Sequence, residues 1–225
     1  MIRLAIFTKV DQTESTEKIK PPKVQKIIGL ILDYLHQHSP FDRFEGLYLA
    51  TDEIEGTSED RPGHRKSESR TGQNLITRLA QDFLGDVRFD LDRHESGQPY
   101  GVLNGECVGV SIAHSRSFCL AGINRYGNLG VDLEPVNRRV HPGLSERITS
   151  PLDSGCESME IIRLWTIKEA ALKWCGTGLR TAMKSVAVRS LEDPFFKISI
   201  ENISALLISF QHQQHWMAVA FDHTE

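Results

Sequence analysis

The chain has 225 residues, of which 40% are hydrophobic and 25% charged, with a net charge of −4 at neutral pH. That is an ordinary globular composition, enough for one large domain or two lobes sharing a core, and its slight acidity argues against a general nucleic-acid binder, which carries a basic face. No stretch approaches the ~20 apolar residues of a membrane helix, and the four cysteines (Cys107, Cys119, Cys156, Cys175) form no C-x-x-C pair and no metal-ligand spacing with the histidines, which excludes zinc and reads as free, mostly buried thiols of a reducing cytoplasm.

Ile2 to Phe7 alternates like a strand, too short and too interrupted by Arg3 for a signal-peptide core. Val24, Ile27, Ile28, Ile31 and Leu35 recur at helical spacing between Lys23 and Gln37. G-L-Y-L-A (Gly46 to Ala50) predicts a second strand, and a polar segment runs from Thr57 to Gly63. A helix is expected from His64 to Leu84, with Leu75, Ile76, Leu79, Ala80 and Phe83 as its buried stripe and Gly85 as its stop. V-R-F-D-L, C-V-G-V-S-I-A and F-C-L-A-G-I-N then read as short strands between Gly-rich turns. G-V-D-L-E (Gly130 to Glu134) is a further strand, followed by a punctuated stretch to Gly155 with a short helix at Leu144 to Ile148. Glu157 to Cys175 is the strongest helix, stopped by Gly176-Thr177-Gly178, and four strands close the chain: Ser185 to Arg189, Phe196 to Ile200, Leu206 to Phe210 and Trp216 to Phe221. The order strand, helix, several strands occurs once before residue 130 and again after it, without a linker, which suggests two related lobes.

The chemistry concentrates in two places. Side chains two apart on a strand share a face, so Asp132 and Glu134 point together while Val131 and Leu133 point into the core. In W-T-I-K-E-A-A-L-K (Trp165 to Lys173), residues four apart share a stripe, so Glu169 and Lys173 lie with Trp165. A few carboxylates, completed by substrate phosphates and water, are how magnesium is usually held. The expected metal set is Asp132, Glu134 and Glu169, with chemistry on a phosphate or pyrophosphate. The plain alternatives are a solvent-facing acidic pair on a strand and an exposed charged helix face.

G-V-D-L-E followed by W-T-I-K-E-A-A-L-K and G-T-G-L resembles the paired signature of the 4′-phosphopantetheinyl transferases, in particular the larger, two-lobed type that serves siderophore, polyketide and peptide synthetases. G-Q-P-Y-G (Gly97 to Gly101), S-I-A-H-S (Ser111 to Ser115) and R-K-S-E-S-R-T-G (Arg65 to Gly72) lie upstream in the order that family shows. The likeness runs from Arg61 to Leu179, and five motifs in register are specific where one would be weak.

The resemblance implies an α+β fold, a pseudo-dimer of two similar lobes, each a small, mostly antiparallel sheet with a packed helix. Residues 1–129 would form the lobe that contacts the coenzyme A phosphates, and residues 130–225 the lobe with the metal-binding strand and catalytic helix. Coenzyme A would lie in the cleft between them as substrate. The implied reaction moves its 4′-phosphopantetheine arm to a serine of an apo acyl- or peptidyl-carrier protein, leaving adenosine 3′,5′-bisphosphate, with magnesium, or manganese in its place, on the pyrophosphate. Lys173 would touch the phosphate and stabilise the departing group, with Lys168 secondary. Glu169 has two candidate tasks, metal ligand and general base toward the carrier serine, and ligand is favoured because a carboxylate bound tightly to metal is a poor base. His114 and Ser115 match the family's pair on the 3′-phosphate, and Arg65 is the candidate for a further adenosine-phosphate contact. The chain departs from the pattern at Gln98, where many relatives carry lysine, and at Asp153, which has no assigned role. The protein is expected to be cytoplasmic and monomeric, without nucleic-acid or membrane partners. Two other classes stay open: a metal-dependent phosphodiesterase on a nucleotide, and a non-catalytic coenzyme A or carrier-binding module.

Overall fold

A computed structural model of the chain describes residues 46–54, 61–84, 88–95 and 97–222. The strand expected at 2–7 and the helix expected at 23–37 lie outside the described residues. β1 (Leu47–Glu53) is followed by α1 (Arg61–Leu84), β2 (Phe89–Arg93), β3 (Pro99–Leu103), β4 (Glu106–His114) and β5 (Phe118–Asn124). β6 (Leu129–Pro135), α2 (Leu144–Ile148) and α3 (Ile161–Trp174) come next, then β7 (Val186–Glu192), β8 (Phe195–Ile200), β9 (Ile203–His212) and β10 (His215–Phe221). The strands form two five-stranded sheets ordered β1-β5-β4-β3-β2 and β6-β10-β9-β8-β7, and every neighbouring pair is antiparallel.

The two orders are the same wiring used twice. Among the described residues, the first strand of each sheet stands at an edge beside the last, and a long helix fills the connection between the first strand and the second. This is the α+β arrangement of two similar units that the sequence suggested. Residue identity carries no trace of the repeat, because a topology needs only matching apolar periodicity.

Alternation on the strands divides the core in three. Leu47 and Leu49 of β1, Leu120 of β5, Leu129, Val131 and Leu133 of β6, and Met217 and Val219 of β10 meet in one cluster between the sheets. The other face of the first sheet packs on Leu75, Ile76 and Leu79 of α1, and the other face of the second on Leu164, Ile167 and Leu172 of α3. The central strands β5 and β10 are buried at every residue, which is why both read as nearly continuous apolar runs.

Several elements differ from the sequence expectation, two of them for a clear local reason. β3 was not anticipated, since proline and glycine at its start and centre dilute its strand character. Gly101 is required there, because a Cβ would run into Phe89 and Val108. α3 begins at Ile161 rather than Glu157: Glu160 is extended (φ −58, ψ 133) and its carboxylate accepts the Trp216 indole N–H at 3.0 Å. α1 begins at Arg61, ahead of His64. Of the four thiols only Cys119 is buried, and burial pushes it up to about 12.

Gly130 permits the closest approach of helix to sheet. A Cβ there would land on the Ala170 carbonyl oxygen and the Trp174 amide nitrogen, backbone atoms that cannot swing aside. Gly130→Ala is therefore expected to lower stability by about 1–3 kcal/mol, as overpacking does, in urea unfolding. An unchanged midpoint would show that α3 can float away from β6 freely.

Candidate active site

The acids of β6 lie on its helix-facing side, opposite Val131 and Leu133. Lys173, one turn beyond Glu169 on α3, donates to Asp132 Oδ1 at 2.8 Å and to the Val131 carbonyl at 3.0 Å. Arg138, just past the end of β6, pairs with Glu134 and lies over the Trp165 ring at 5.5 Å. Asp132 is buried, and its Oδ2 has no hydrogen-bond partner.

The electrostatics join these groups. Burial raises the Glu169 carboxyl to about 7, and the charges of Asp132 and Glu134 push the same way against Lys173 and Arg138. Burial likewise lifts Glu134 to about 7, aided by Asp132 and opposed by Arg138 and Lys173. Asp132 is raised by burial and pulled back by Lys173. Three carboxyls therefore share one field that works against ionising all of them. Among the described residues, no three His, Cys, Asp or Glu side chains stand close enough together to hold a metal ion. The donor set fits a hard divalent cation in its chemistry, because it offers oxygens only, an orphaned Asp132 Oδ2 and a repulsion that added positive charge would relieve. Lys173 and Arg138 occupy one oxygen each of Asp132 and Glu134, so a shared ion requires both cations to give way.

Lys173 also lines a cavity of about 400 Å³ between the first sheet and the C-terminal end of α3. Gly97 to Pro99, Ser111 and Ile112 come from one side, and Gly176 to Gly178 and Arg180 from the other. Gln98 donates across it to the Lys173 carbonyl at 2.9 Å, and Ser111 Oγ accepts the Val131 N–H at 2.9 Å. The size is that of a small-molecule site. Gln98 therefore ties the two halves together, where a lysine would bring a charge to the same wall. Arg180 was missed in the sequence; a cation immediately after G-T-G-L was the available signal.

Lys168 sits elsewhere. Its ammonium is wholly buried and donates to Asp153 Oδ2 at 2.8 Å and to the Val186 carbonyl at 2.9 Å. Asp153 also accepts the Ser150 and Val188 N–H groups at 2.8 and 3.0 Å. Lys168 points away from the cavity because it is one residue before Glu169, about 100° around the helix. The phosphate contact expected of it gives way to a structural ion pair, and Asp153 gains the role left open for it. The signal for Asp153 was only its polarity within a punctuated loop.

His114 ends β4 and Ser115 follows it, beyond the cavity-lining Ser111 and Ile112. His114 Nδ1 lies 3.3 Å from Glu68 Oε1 on α1, and Ser115 Oγ lies 2.9 Å from His215 Nε2 on β10. The Arg65 assignment falls on a side chain outside those described.

Residues 128–220 match a family model described as the 4′-phosphopantetheinyl transferase superfamily. The matched segment contains Asp132, Glu134, Glu169 and Lys173. It stops short of Gln98, His114 and Ser115. No curated protein matches the chain.

Two expectations follow. Glu134 and Glu169 keep their protons to about 7 in the folded chain, against an ordinary value of 4.5. Between those values the folded state binds more protons, so their contribution falls as pH rises and stays low above about 7. Glu169→Gln should thus gain stability over the parent at pH 8 and lose that advantage at pH 5, read as melting midpoints; a gap independent of pH would refute the shared field. Asp153→Ala strands a buried ammonium and should destabilise by about 3–5 kcal/mol. Lys168→Met leaves Asp153 its two backbone donors and should cost less. The reverse order in denaturant titrations would overturn the assignment.

Proposed function

We propose that this protein transfers the 4′-phosphopantetheine group of coenzyme A to a serine of an apo acyl- or peptidyl-carrier protein, with adenosine 3′,5′-bisphosphate as the other product. The observation that carries this reading is the pairing of Lys173 with Asp132, in one electrostatic field with Glu134 and Glu169 and beside a cavity between the first sheet and the end of α3, within the segment that matches the transferase superfamily. On this reading the lobes divide at residues 129 and 130, and coenzyme A lies in the cleft.

Asp132, Glu134 and Glu169 would hold a divalent cation, magnesium or manganese. Bound there, it would neutralise pyrophosphate charge and leave the β-phosphorus open to attack. Lys173 supplies a second positive charge. Its ammonium already bridges Asp132 and the Val131 carbonyl, and turning from Asp132 to a phosphate oxygen would free that carboxylate as it steadies the leaving group. Arg180 and the Gln98 amide border the same space. Glu169, held near neutrality by burial and its acidic neighbours, is suited to accept the carrier serine's proton, directly or through water, when it is not fully engaged by metal. His114 and Ser115 would meet the 3′-phosphate of the substrate.

The larger, two-lobed subclass is supported by the doubled sheet wiring. Carriers of fatty acid, polyketide or peptide synthesis are the proposed partners, and the protein would act as a cytoplasmic monomer in secondary metabolism. Among the described residues no helix is long and apolar enough to cross a membrane.

The test is incubation with coenzyme A, magnesium and an apo carrier, followed by mass spectrometry of the carrier. A gain of one phosphopantetheine is expected, and Asp132→Ala should abolish it while circular dichroism stays unchanged. Nucleotide products without carrier modification would point to a phosphodiesterase. Binding of coenzyme A without either product would point to a non-catalytic module. Full activity of Asp132→Ala would sink the metal assignment.

A further inference from the structure

His215 stands at the start of β10, 7% exposed, in a setting that fixes which of its nitrogens can do what. Nδ1 lies 2.6 Å from the Gln213 carbonyl oxygen. A carbonyl only accepts, so Nδ1 must carry a proton. In the neutral ring Nε2 is then an acceptor, and the group facing it at 2.9 Å is the Ser115 hydroxyl. Ser115 Oγ donates to His215, the nearer of its two acceptors, the Phe118 carbonyl lying 3.5 Å away. A hydroxyl has a single proton, so while it points at the ring it presents only lone pairs to anything approaching from outside.

The ring is held in place. Phe118 of β5 stacks on it at 5.3 Å with planes 18° apart, and the same phenyl ring lies 6.0 Å from His212. β6 opposes His215 with Pro135, and β9 opposes it with His212. Of Phe118, Pro135, Gln213 and His212, only His212 titrates, and its like charge disfavours a second imidazolium. Burial keeps His215 on the neutral side, lowering it below 6.5. His212 Nε2 is itself buried and unpartnered.

We infer that His215 is a positioning residue that sets the direction of the Ser115 hydroxyl, and that an anion at His114–Ser115 is bound with a proton taken up on His215 Nε2. With that proton in place Nε2 donates to Ser115 Oγ, and the serine proton turns outward to the ligand. Nothing else in the pair has to move. The inference rests on the reading that this pair meets the 3′-phosphate of coenzyme A. It goes beyond it by assigning a residue of the second lobe to a site otherwise built from the first.

The experiment compares the Kd values of coenzyme A and 3′-dephospho-coenzyme A by calorimetry, which needs no turnover. The expected result is that Ser115→Ala and His215→Phe each reduce the preference for coenzyme A by about tenfold, the scale of one charge-assisted hydrogen bond. The double variant should lose no more than either single one. His215→Gln, which keeps a neutral donor at the Nε2 position, should restore most of the preference. The advantage of the parent over that variant should shrink as pH rises from about 6 to about 8, since the second ionisation of the phosphate is common to both. If Ser115→Ala lowers the preference and His215→Phe does not, the inference is wrong and the phosphate contact stands. If neither variant changes it, the phosphate contact falls with the inference, whether or not a carrier is still modified. Additive losses in the double variant would also overturn it, because they would mean that His215 acts by some route other than Ser115.

Discussion

Everything at the candidate site depends on how closely α3 lies against β6. Gly130 has no side chain, and the helix backbone at Ala170 and Trp174 fills the space a Cβ would take. That contact places Lys173 within reach of both the Val131 carbonyl and Asp132, and it forces Asp132 into burial. The outer end of the same helix is fixed by the Trp174 indole, which donates to Asp222 at 2.6 Å, while Asp222 also receives the Asn128 N–H at 2.7 Å. The helix is thereby tied to the turn where the first sheet hands over to the second. One residue without a Cβ, and the polar clamp beside it, decide where the reactive groups can stand.

The second constraint is charge. Burial first, and mutual repulsion second, work against ionising these carboxyls together, and Lys173 and Arg138 compensate only in part, as the raised Glu134 and Glu169 values report. This is a site in which the groups are held away from their comfortable states, the usual condition of a catalytic or ion-binding centre. The contrast is the Lys168–Asp153 pair on the same helix. There each partner is fully hydrogen-bonded by backbone as well as by the other. One helix therefore carries two lysines five residues apart with opposite purposes: the satisfied one is structural, and the one beside an unsatisfied carboxylate is available for chemistry.

How far the sequence disclosed this differs from residue to residue. Period-2 alternation in G-V-D-L-E was enough to separate Val131 and Leu133 from Asp132 and Glu134, because a strand leaves only two faces. Helical spacing placed Glu169 and Lys173 on one stripe for the same reason. It could not tell which face of α3 meets solvent, since the helix is apolar on most sides, and so Lys168 looked as exposed as Lys173. Partners distant in sequence were illegible. Nothing local to Asp153, Gln98 or His215 announces the groups that they meet 15, 75 and 100 residues away. The strand at Pro99–Leu103 was hidden by its own proline and glycine, which are tolerated because close packing on Phe89 and Val108 leaves no room for a side chain.

The doubled wiring shows where the two halves differ in charge. β1 and β6 are seven-residue edge strands with the same alternation: Leu47 and Leu49 enter the shared core as Leu129 and Val131 do. On the opposite face Tyr48 and Ala50 stand where Gly130 and Asp132 stand, and they pack on α1 through Leu75, Ile76 and Leu79. The first sheet thus covers this part of its helix-facing side with apolar groups, while Asp52 stands half-buried at the position of Glu134. The second replaces the bulky residue by glycine and the small apolar one by a carboxylate. Its helix buries a carboxylate there beside a large apolar cluster. Those two exchanges place the buried carboxylate Asp132 beside Lys173 in the second half, where the first half has only Ala50. Because the cavity is walled by β3 and β4 on one side and by the end of α3 on the other, the first sheet supplies a rigid side to the space that Lys173 opens onto.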